Sequence, residues 1–114
     1  MIQIEMLNAA GKAVQGLRIQ EPGGKGHPNM LLLLCEKGYI MCGYLNKEAA
    51  DKFEDAAAVV GGSSFDEILA NPVKAVTSKA AELGVEVGMT GLQAAEKLNG
   101  YDYEVNKQAG SRKV

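Results

Sequence analysis

The chain is poor in the residues that build metal and redox centres. Its 114 residues include one histidine, two cysteines and no tryptophan. Structural zinc sites need four ligands, mostly cysteine or histidine at short fixed spacings, and this sequence has no such spacing. We therefore expect neither a metal site nor a cofactor.

Long apolar runs and clusters of basic residues are also missing. The longest apolar run, residues 30–35, is much shorter than the roughly 20 residues that cross a bilayer. Lysine and arginine are scattered and the formal net charge is -2, so we expect no nucleic-acid or membrane partner. The first residues lack the basic and apolar regions of a targeting segment. We expect a cytoplasmic protein.

What is present is the composition of one globular domain. Hydrophobic residues make up 46% of the chain and charged residues 23%, values that are ordinary for a folded protein. A chain of this length buries enough apolar surface for one core but not for two. We predict a single α/β domain over residues 1–100, followed by a polar C-terminal tail over residues 101–114.

The first residues have the alternation of an antiparallel hairpin. Ile2, Ile4 and Met6 recur at every second position, which is the period of a half-buried strand, and a return strand follows at residues 13–20. The alternation of the return strand changes phase at Gly16. We expect a β-bulge there, because a bulge inserts one residue into one strand of a pair.

A glycine- and proline-rich segment separates this hairpin from a second one. Residues 21–29 contain three glycines and two prolines, so we expect a surface loop outside any regular element. Residues 30–36 and 39–45 are nearly continuous apolar strands, a pattern typical of strands covered on both faces. They are expected at the centre of the fold.

The two cysteines flank the predicted turn of the second hairpin, at Lys37 and Gly38. That turn would make Cys35 and Cys42 diagonal neighbours, with Cα atoms about 7–8 Å apart. This distance exceeds the usual reach of a disulfide. We predict two free thiols and a reducing compartment.

The second half alternates between helical and extended patterns. Asn46 is a candidate N-cap for a helix over residues 47–56, and residues 57–60 form a short buried strand. Ser64, with Glu67 three residues later, has the spacing of a capping box that begins the next helix.

The pattern continues with two further helices. Val73, Val76, Ala80 and Leu83 share one face of a predicted helix, and Thr90 begins the last helix with a second capping-box spacing. Between these helices we predict a short strand that begins at Val85.

The order of elements predicts an α/β fold of the mixed α+β kind. Antiparallel N-terminal hairpins are followed by strand-helix repeats, and together they form one mixed sheet with packed helices. Because crossovers of this length join parallel strands, the strands that begin at Tyr39, Ala57 and Val85 are expected to run in one direction.

Several short motifs resemble the YunC-like family of uncharacterised bacterial and archaeal proteins. The similar segments occur in the same order along most of residues 1–98. They are residues 38–43 with Leu45, residues 65–69, Val76 with Thr77, and residues 85–91 with Ala94 and Leu98.

This resemblance implies an α/β fold whose N-terminal β region is used in tetramer assembly. It implies no activity and supplies no catalytic residues. The family tends to have an aspartate where this chain has Asn46, which weakens any metal or acid role at that position. The loop through His27 and the tail beyond Gly100 are additions to the family pattern.

The exits of the three predicted parallel strands form a candidate ligand site. In open α/β sheets, ligands bind beyond the carboxyl ends of parallel strands, and N–H groups at helix N-termini hold anions. The alternative is that these residues only cap helices, since the glycine-rich phosphate-binding motifs are absent. The candidate residues are Asn46, Gly61, Gly62, Ser63, Ser64, Gly88, Met89 and Thr90.

Cys42 is a candidate nucleophile at the same sheet edge, where a helix N-terminus could stabilise a thiolate. The alternative is a buried cysteine that acts as a small hydrophobic residue. A Cys42–His27 pair would require the loop to fold back over the sheet. Two functions remain open: an oligomeric protein that binds a small anionic metabolite, and an enzyme that uses Cys42.

Overall fold

The computed structural model describes residues 1–9 and 11–99, so the predicted tail over residues 101–114 lies outside the described residues. None of the helices in the described ranges is long and apolar enough to cross a membrane. The elements are, in chain order, β1 (Ile2–Ala9), β2 (Lys12–Ile19), β3 (Met30–Leu34), β4 (Tyr39–Met41), α1 (Lys47–Lys52), β5 (Ala57–Val60), α2 (Phe65–Ala70), β6 (Val73–Val76), α3 (Ser78–Glu82) and α4 (Gly91–Leu98).

The strands form one mixed sheet in the order β1-β2-β3-β4-β5-β6. Neighbouring strands are antiparallel except β4 and β5, which pair in parallel. α1 connects these two strands along the chain. The predicted mixed α+β class with N-terminal antiparallel hairpins is confirmed.

β1 and β2 form a regular hairpin with an unbroken register. The bulge expected at Gly16 is therefore wrong. The apolar pattern changes phase there because both faces of the hairpin carry apolar residues. Gly16 instead makes room for a ring from α2, since a Cβ atom on Gly16 would lie 2.9 Å from Cζ of Phe65.

β3 and β4 are joined by a tight turn at residues 36–37, one residue earlier than predicted. The N–H of Cys35 donates to the carbonyl of Gly38 over 2.8 Å, and the N–H of Cys42 donates to the carbonyl of Leu31 over 3.1 Å. Leu31 and Cys35 are separated by roughly 13 Å along β3, at about 3.3 Å per residue. The predicted diagonal contact is therefore wrong, whereas the prediction of two free thiols is confirmed.

Residues 73–76 form a strand where a helix is predicted. Valine at both ends of this segment favours extended backbone, and β6 pairs antiparallel with β5. The helix begins only after Thr77, whose side chain accepts a hydrogen bond from the N–H of Ala80.

The predicted third parallel strand at Val85 is also wrong. β6 occupies the place beside β5 that this strand would fill. Val85 is buried in the core without belonging to a strand, and Val87 is exposed. The chain then passes beside the start of β6, where the N–H of Gly88 donates to the carbonyl of Val73 over 2.9 Å.

The core lies between one face of the sheet and three helices. Residues of all six strands and of α2, α3 and α4 belong to one buried cluster. Its largest members include Leu31, Leu33, Ile40, Ile68 and Leu98, each with at most 1% of its surface exposed.

The opposite face of the N-terminal hairpin is apolar and open. The register places Ile2, Ile4 and Met6 on the same face as Leu17 and Ile19, and we call these five residues the apolar face. Ile2 and Ile4 are 64% exposed and Met6 is 63% exposed. Leu17 and Ile19 are half-buried.

Candidate functional site

A cavity of about 300 Å³ lies beyond the carboxyl ends of β4 and β5. We call it the β4–β5 cavity. Its position agrees with the expected ligand edge of the parallel strands. The lining residues are Pro28, Asn29, Cys42, Gly43, Tyr44 and Gly62.

The loop over residues 21–29 supplies one wall of this cavity. The side chain of Asn29 accepts a hydrogen bond from the N–H of Glu21 over 3.1 Å, which closes the base of the loop. The hydroxyl of Tyr44 donates to the carbonyl of Pro28 over 3.2 Å and joins the loop to the turn after β4. His27 is exposed, and its ring lies against Gly23.

Cys42 is both a core residue and part of the cavity wall. Only 4% of its surface is exposed. Its sulfur accepts a hydrogen bond from the N–H of Leu31 over 3.3 Å, and the thiol lies 4.0 Å from the carbonyl oxygen of Asn29. The fold therefore holds the sulfur in one place, beside a backbone donor.

Two glycines contribute backbone donors to the same wall. Within the described part of the chain, the N–H groups of Gly43 and Gly62 donate to no protein acceptor. Gly62 is wedged against α2, because a Cβ atom there would lie 2.9 Å from Cβ of Glu67. These N–H groups remain available to a ligand or to water.

A lysine from the neighbouring strand approaches this end of the sheet. Nζ of Lys74 lies 2.9 Å from the position that a Cβ atom on Gly61 would occupy. The carbonyl of Gly61 accepts a hydrogen bond from the side chain of Asn71 over 2.8 Å. The ammonium of Lys74 therefore lies next to the residue that precedes the cavity wall.

Several of the predicted site residues cap helices. The side chain of Asn46 accepts from the first turn of α1 over 3.0 Å, Ser64 does so in α2 over 3.2 Å, and Thr90 does so in α4 over 3.1 Å. None of these three lines the β4–β5 cavity.

The donor groups of Ser63 already bond to a carboxylate of the same chain. Its N–H and hydroxyl donate to the carboxylate of Glu67 over 2.7 and 3.0 Å, and these bonds lower the pKa of Glu67. The carboxylate takes the position that an external anion would need at the start of α2.

Gly88 and Met89 lie at the same end of the sheet, but they do not follow a parallel strand as the sequence predicted. They bond to Val73 at the start of β6, with the carbonyl of Met89 accepting from the N–H of Val73 over 2.7 Å. Because β6 is antiparallel to β5, Val73 lies beside Val60 at the end of β5. Both residues lie outside the lining of the β4–β5 cavity.

A second cavity, of about 220 Å³, lies between the N-terminal hairpin and α2. We call it the Arg18 cavity. Sequence reasoning missed it, although Arg18 follows Val14 and Gly16 in the inward-facing register of β2, which is an unusual position for a charge. The lining residues are Gln3, Glu5, Leu7, Arg18, Ser64, Phe65 and Asp66.

The pKa values of Cys35 and Tyr39 are raised, and neither residue lines one of the two cavities. Burial raises the pKa of the Cys35 thiol to about 11. Burial and then the hydrogen bond to Asp55, at 2.6 Å, raise the pKa of Tyr39 to about 12. Over residues 1–9 and 11–99, no three histidine, cysteine, aspartate or glutamate side chains come together as a metal site.

Comparison with known proteins supports the resemblance inferred from the motifs. The chain is 35% identical to the uncharacterised protein YunC of Bacillus subtilis over 75 residues, which cover 61% of this chain and 74% of YunC. A crystal structure of a protein of unknown function from Thermoplasma acidophilum matches with a TM-score of 0.77 and 31% identity, covering 86% of this chain and 93% of the other. Residues 41–98 match the family described as a domain of unknown function, DUF1805. The chain therefore belongs to the DUF1805 family, which includes YunC-like proteins of unknown function.

Proposed function

We propose that this protein is a cytoplasmic homo-oligomer that binds a small anionic metabolite in the β4–β5 cavity. One observation carries the proposal: Gly43 and Gly62, whose N–H groups have no acceptor in the described part of the chain, both line a cavity at the carboxyl ends of two parallel strands. Unpaired backbone N–H groups are ready donors to an anionic oxygen. The two free thiols agree with a reducing compartment.

The charge near the cavity supports an anionic ligand. Lys74 is exposed and forms no ion pair within the described residues. A lysine ammonium acts as a mobile point charge that can follow an anionic group. Nζ of Lys74 lies beside Gly61, which directly precedes Gly62 in the cavity wall.

The remaining wall favours a ligand with a small apolar body. Pro28 and the ring of Tyr44 offer apolar surface beside the thiol of Cys42. A volume of about 300 Å³ lies at the lower end of the range for small-molecule pockets, about 300–1,000 Å³. Small carboxylates and phosphate esters combine this size with one anionic group.

A ligand screen tests this proposal. We expect at least one compound from a panel of inorganic phosphate, nucleotides and small carboxylates to raise the melting temperature. Lys74→Met should weaken binding of that compound by about tenfold, as expected for one charged contact. Lys37→Met removes an exposed lysine at the far end of β4 and should leave binding unchanged. No thermal shift with any compound, or equal weakening by both variants, would reject the proposal.

A second candidate function is an enzyme in which Cys42 is the nucleophile. The observation in its favour is that Cys42 lines the cavity and that its sulfur is held in place by a hydrogen bond from the N–H of Leu31. The N–H groups of Gly43 and Gly62 would stabilise negative charge on the substrate. This candidate ranks second because, among the described residues, no histidine or carboxylate that could act as a general base lines the cavity.

Alkylation of the two thiols separates these functions. In a Cys42→Ser variant, Cys35 should react with iodoacetamide only as the pH rises toward its pKa of about 11. In a Cys35→Ser variant, fast alkylation of Cys42 below pH 7 would favour the enzyme. Reaction of Cys42 only after denaturation would end that candidate and leave the binding proposal in place.

The oligomer in this proposal is built on the apolar face. Three large apolar side chains of β1, each more than 60% exposed, form a patch that is unfavourable in water. We propose a second copy of this chain as the occupant, because the resemblance to YunC-like proteins implies assembly through the N-terminal β region. A two-fold axis would place the same patch on both partners.

A further inference from the structure

We infer that the Arg18 cavity binds a small zwitterion, such as an α-amino acid, with its carboxylate on Arg18 and its ammonium between Glu5 and Asp66. These three charged residues all line the cavity. The site is independent of the β4–β5 cavity, and the two linings have no residue in common.

Arg18 is half-buried, and one of its donor atoms lacks an acceptor. Its Nε atom is inaccessible to solvent and bonds to nothing in the residues that the structure covers. No carboxylate of those residues lies within 4.0 Å of its guanidinium nitrogens. Buried polar atoms normally have a hydrogen-bond partner, because a buried donor without an acceptor is unfavourable.

The sheet fixes Arg18 in this position. Arg18 pairs with Gln3 on one side and with Leu31 on the other, so its side chain must leave β2 on the helix-facing side. A carboxylate is the acceptor that matches the planar fork of a guanidinium, because it can accept two parallel N–H groups.

The two acidic residues define the other end of the ligand. Glu5 and Asp66 are exposed and form no ion pair within the described ranges. Two carboxylates beside one guanidinium repel a phosphate or another multiply charged anion. They attract an ammonium, so the charges of the lining complement a molecule that carries one charge of each sign.

The remaining wall and the size of the cavity limit the ligand to a small molecule. Gly16 lies opposite Glu5 and has no side chain, which leaves room for the Phe65 ring. The volume of about 220 Å³ is below the roughly 300 Å³ at which pockets for drug-sized ligands begin. An amino acid with a short side chain against the ring fits these limits.

Calorimetry tests the inference by comparing an amino acid with two compounds that carry only its acidic or only its basic group. We expect glycine or L-alanine to bind the full-length protein at least about tenfold more tightly than acetate or methylamine. Arg18→Met should weaken amino-acid binding by at least about tenfold, whereas Lys74→Met should not change it. Because Met replaces a donor that has no acceptor, we expect Arg18→Met to melt no lower than the parent in the absence of ligand.

A second variant keeps the test decisive if Arg18→Met does not fold. Glu5→Gln combined with Asp66→Asn changes only exposed groups, and it should abolish the preference for the amino acid over acetate. Failure of both amino acids to bind would overturn the inference, as would equal binding of acetate or binding unaffected by these variants. None of these results changes the ligand screen for the β4–β5 cavity, so the two proposals fail separately.

Discussion

Single residues control how closely the elements of this fold approach each other. Gly91, the first residue of α4, lies against α2, and a Cβ atom there would lie well inside contact distance of the carbonyl oxygen of Ile68. The N–H of Gly91 also donates to the carbonyl of Asn71 over 2.9 Å. Backbone is in contact with backbone here, so no side-chain movement can relieve an added methyl group.

Gly91→Ala is expected to lower the free energy of unfolding by at least about 2 kcal/mol, since overpacking at a rigid contact forces the helices apart. Urea denaturation would measure the change. Gly43→Ala is the matched control, because a Cβ atom there meets no atom of the described residues within 4 Å, and we expect a change within about 0.5 kcal/mol. Equal stability of the two variants would contradict the tight contact between α2 and α4.

Tyr39 should make stability depend on alkaline pH. Its pKa in the folded protein is about 12, above the ordinary value of 10.0, so the stabilisation is complete below pH 10 and is lost as the pH rises toward 12. Tyr39→Phe should cost about 1 kcal/mol at neutral pH, a modest value because the Tyr39–Asp55 pair is partly exposed. The difference in melting temperature between parent and variant, measured from pH 7 to pH 11, should shrink above pH 10. A constant difference would contradict this assignment.

At the scale of elements, local signals identified caps and hairpins, whereas long-range pairing decided the rest. Thr90 and Ser64 could be predicted as N-caps because each acts on an N–H three residues away. Residues 73–76 could not be assigned in the same way, since Val73 and Val76 fit one helix face as well as the two ends of a strand. Residues 73–76 form a strand because they pair with the edge of β5 that β4 leaves open.

The same distinction applies to the candidate site, part of which could be predicted from the sequence and part of which could not. Cys42 and Gly62 could be predicted as neighbours because β4 and β5 are parallel and end together. The Arg18 cavity could not be predicted, since it depends on the side of the hairpin that α2 covers. Asn46 and Thr90 were predicted at the correct end of the sheet, but their side chains cap helices and do not line the cavity.

Thr90→Ala tests whether that role is capping alone. Loss of the capping box should reduce stability by about 1 kcal/mol, and Thr90→Ser should restore most of it, because serine keeps the oxygen that accepts from Gln93. The affinity for the anionic ligand found in the screen should be unchanged. A large loss of affinity in Thr90→Ala at full stability would instead return Thr90 to the binding site.

At the scale of the whole molecule, α2, α3 and α4 cover one face of the sheet, and the N-terminal part of the other face is open. β1 is an edge strand that carries a row of exposed apolar side chains. A small domain gains little from such a row by itself, whereas burial of the row against a second copy is favourable.

Ile4→Asp should therefore convert the oligomer to a monomer at micromolar concentration, as measured by native mass spectrometry. A charge at the centre of the apolar face would be buried without a partner in the assembly. Val87→Asp is the control, because Val87 is similarly exposed, at 62%, on a loop away from the hairpin. A parent protein that is already monomeric would refute the assembly.

The central claim is that the backbone donors of the β4–β5 cavity hold an anionic group. Amide chemical shifts during titration with the compound that raises the melting temperature test this claim most directly, since each glycine N–H reports on its own acceptor. We predict downfield shifts of the Gly43 and Gly62 amides that saturate together, with the Gly11 amide at the far end of the hairpin unchanged. Saturable shifts elsewhere, with the Gly43 and Gly62 amides unmoved, would contradict the claim.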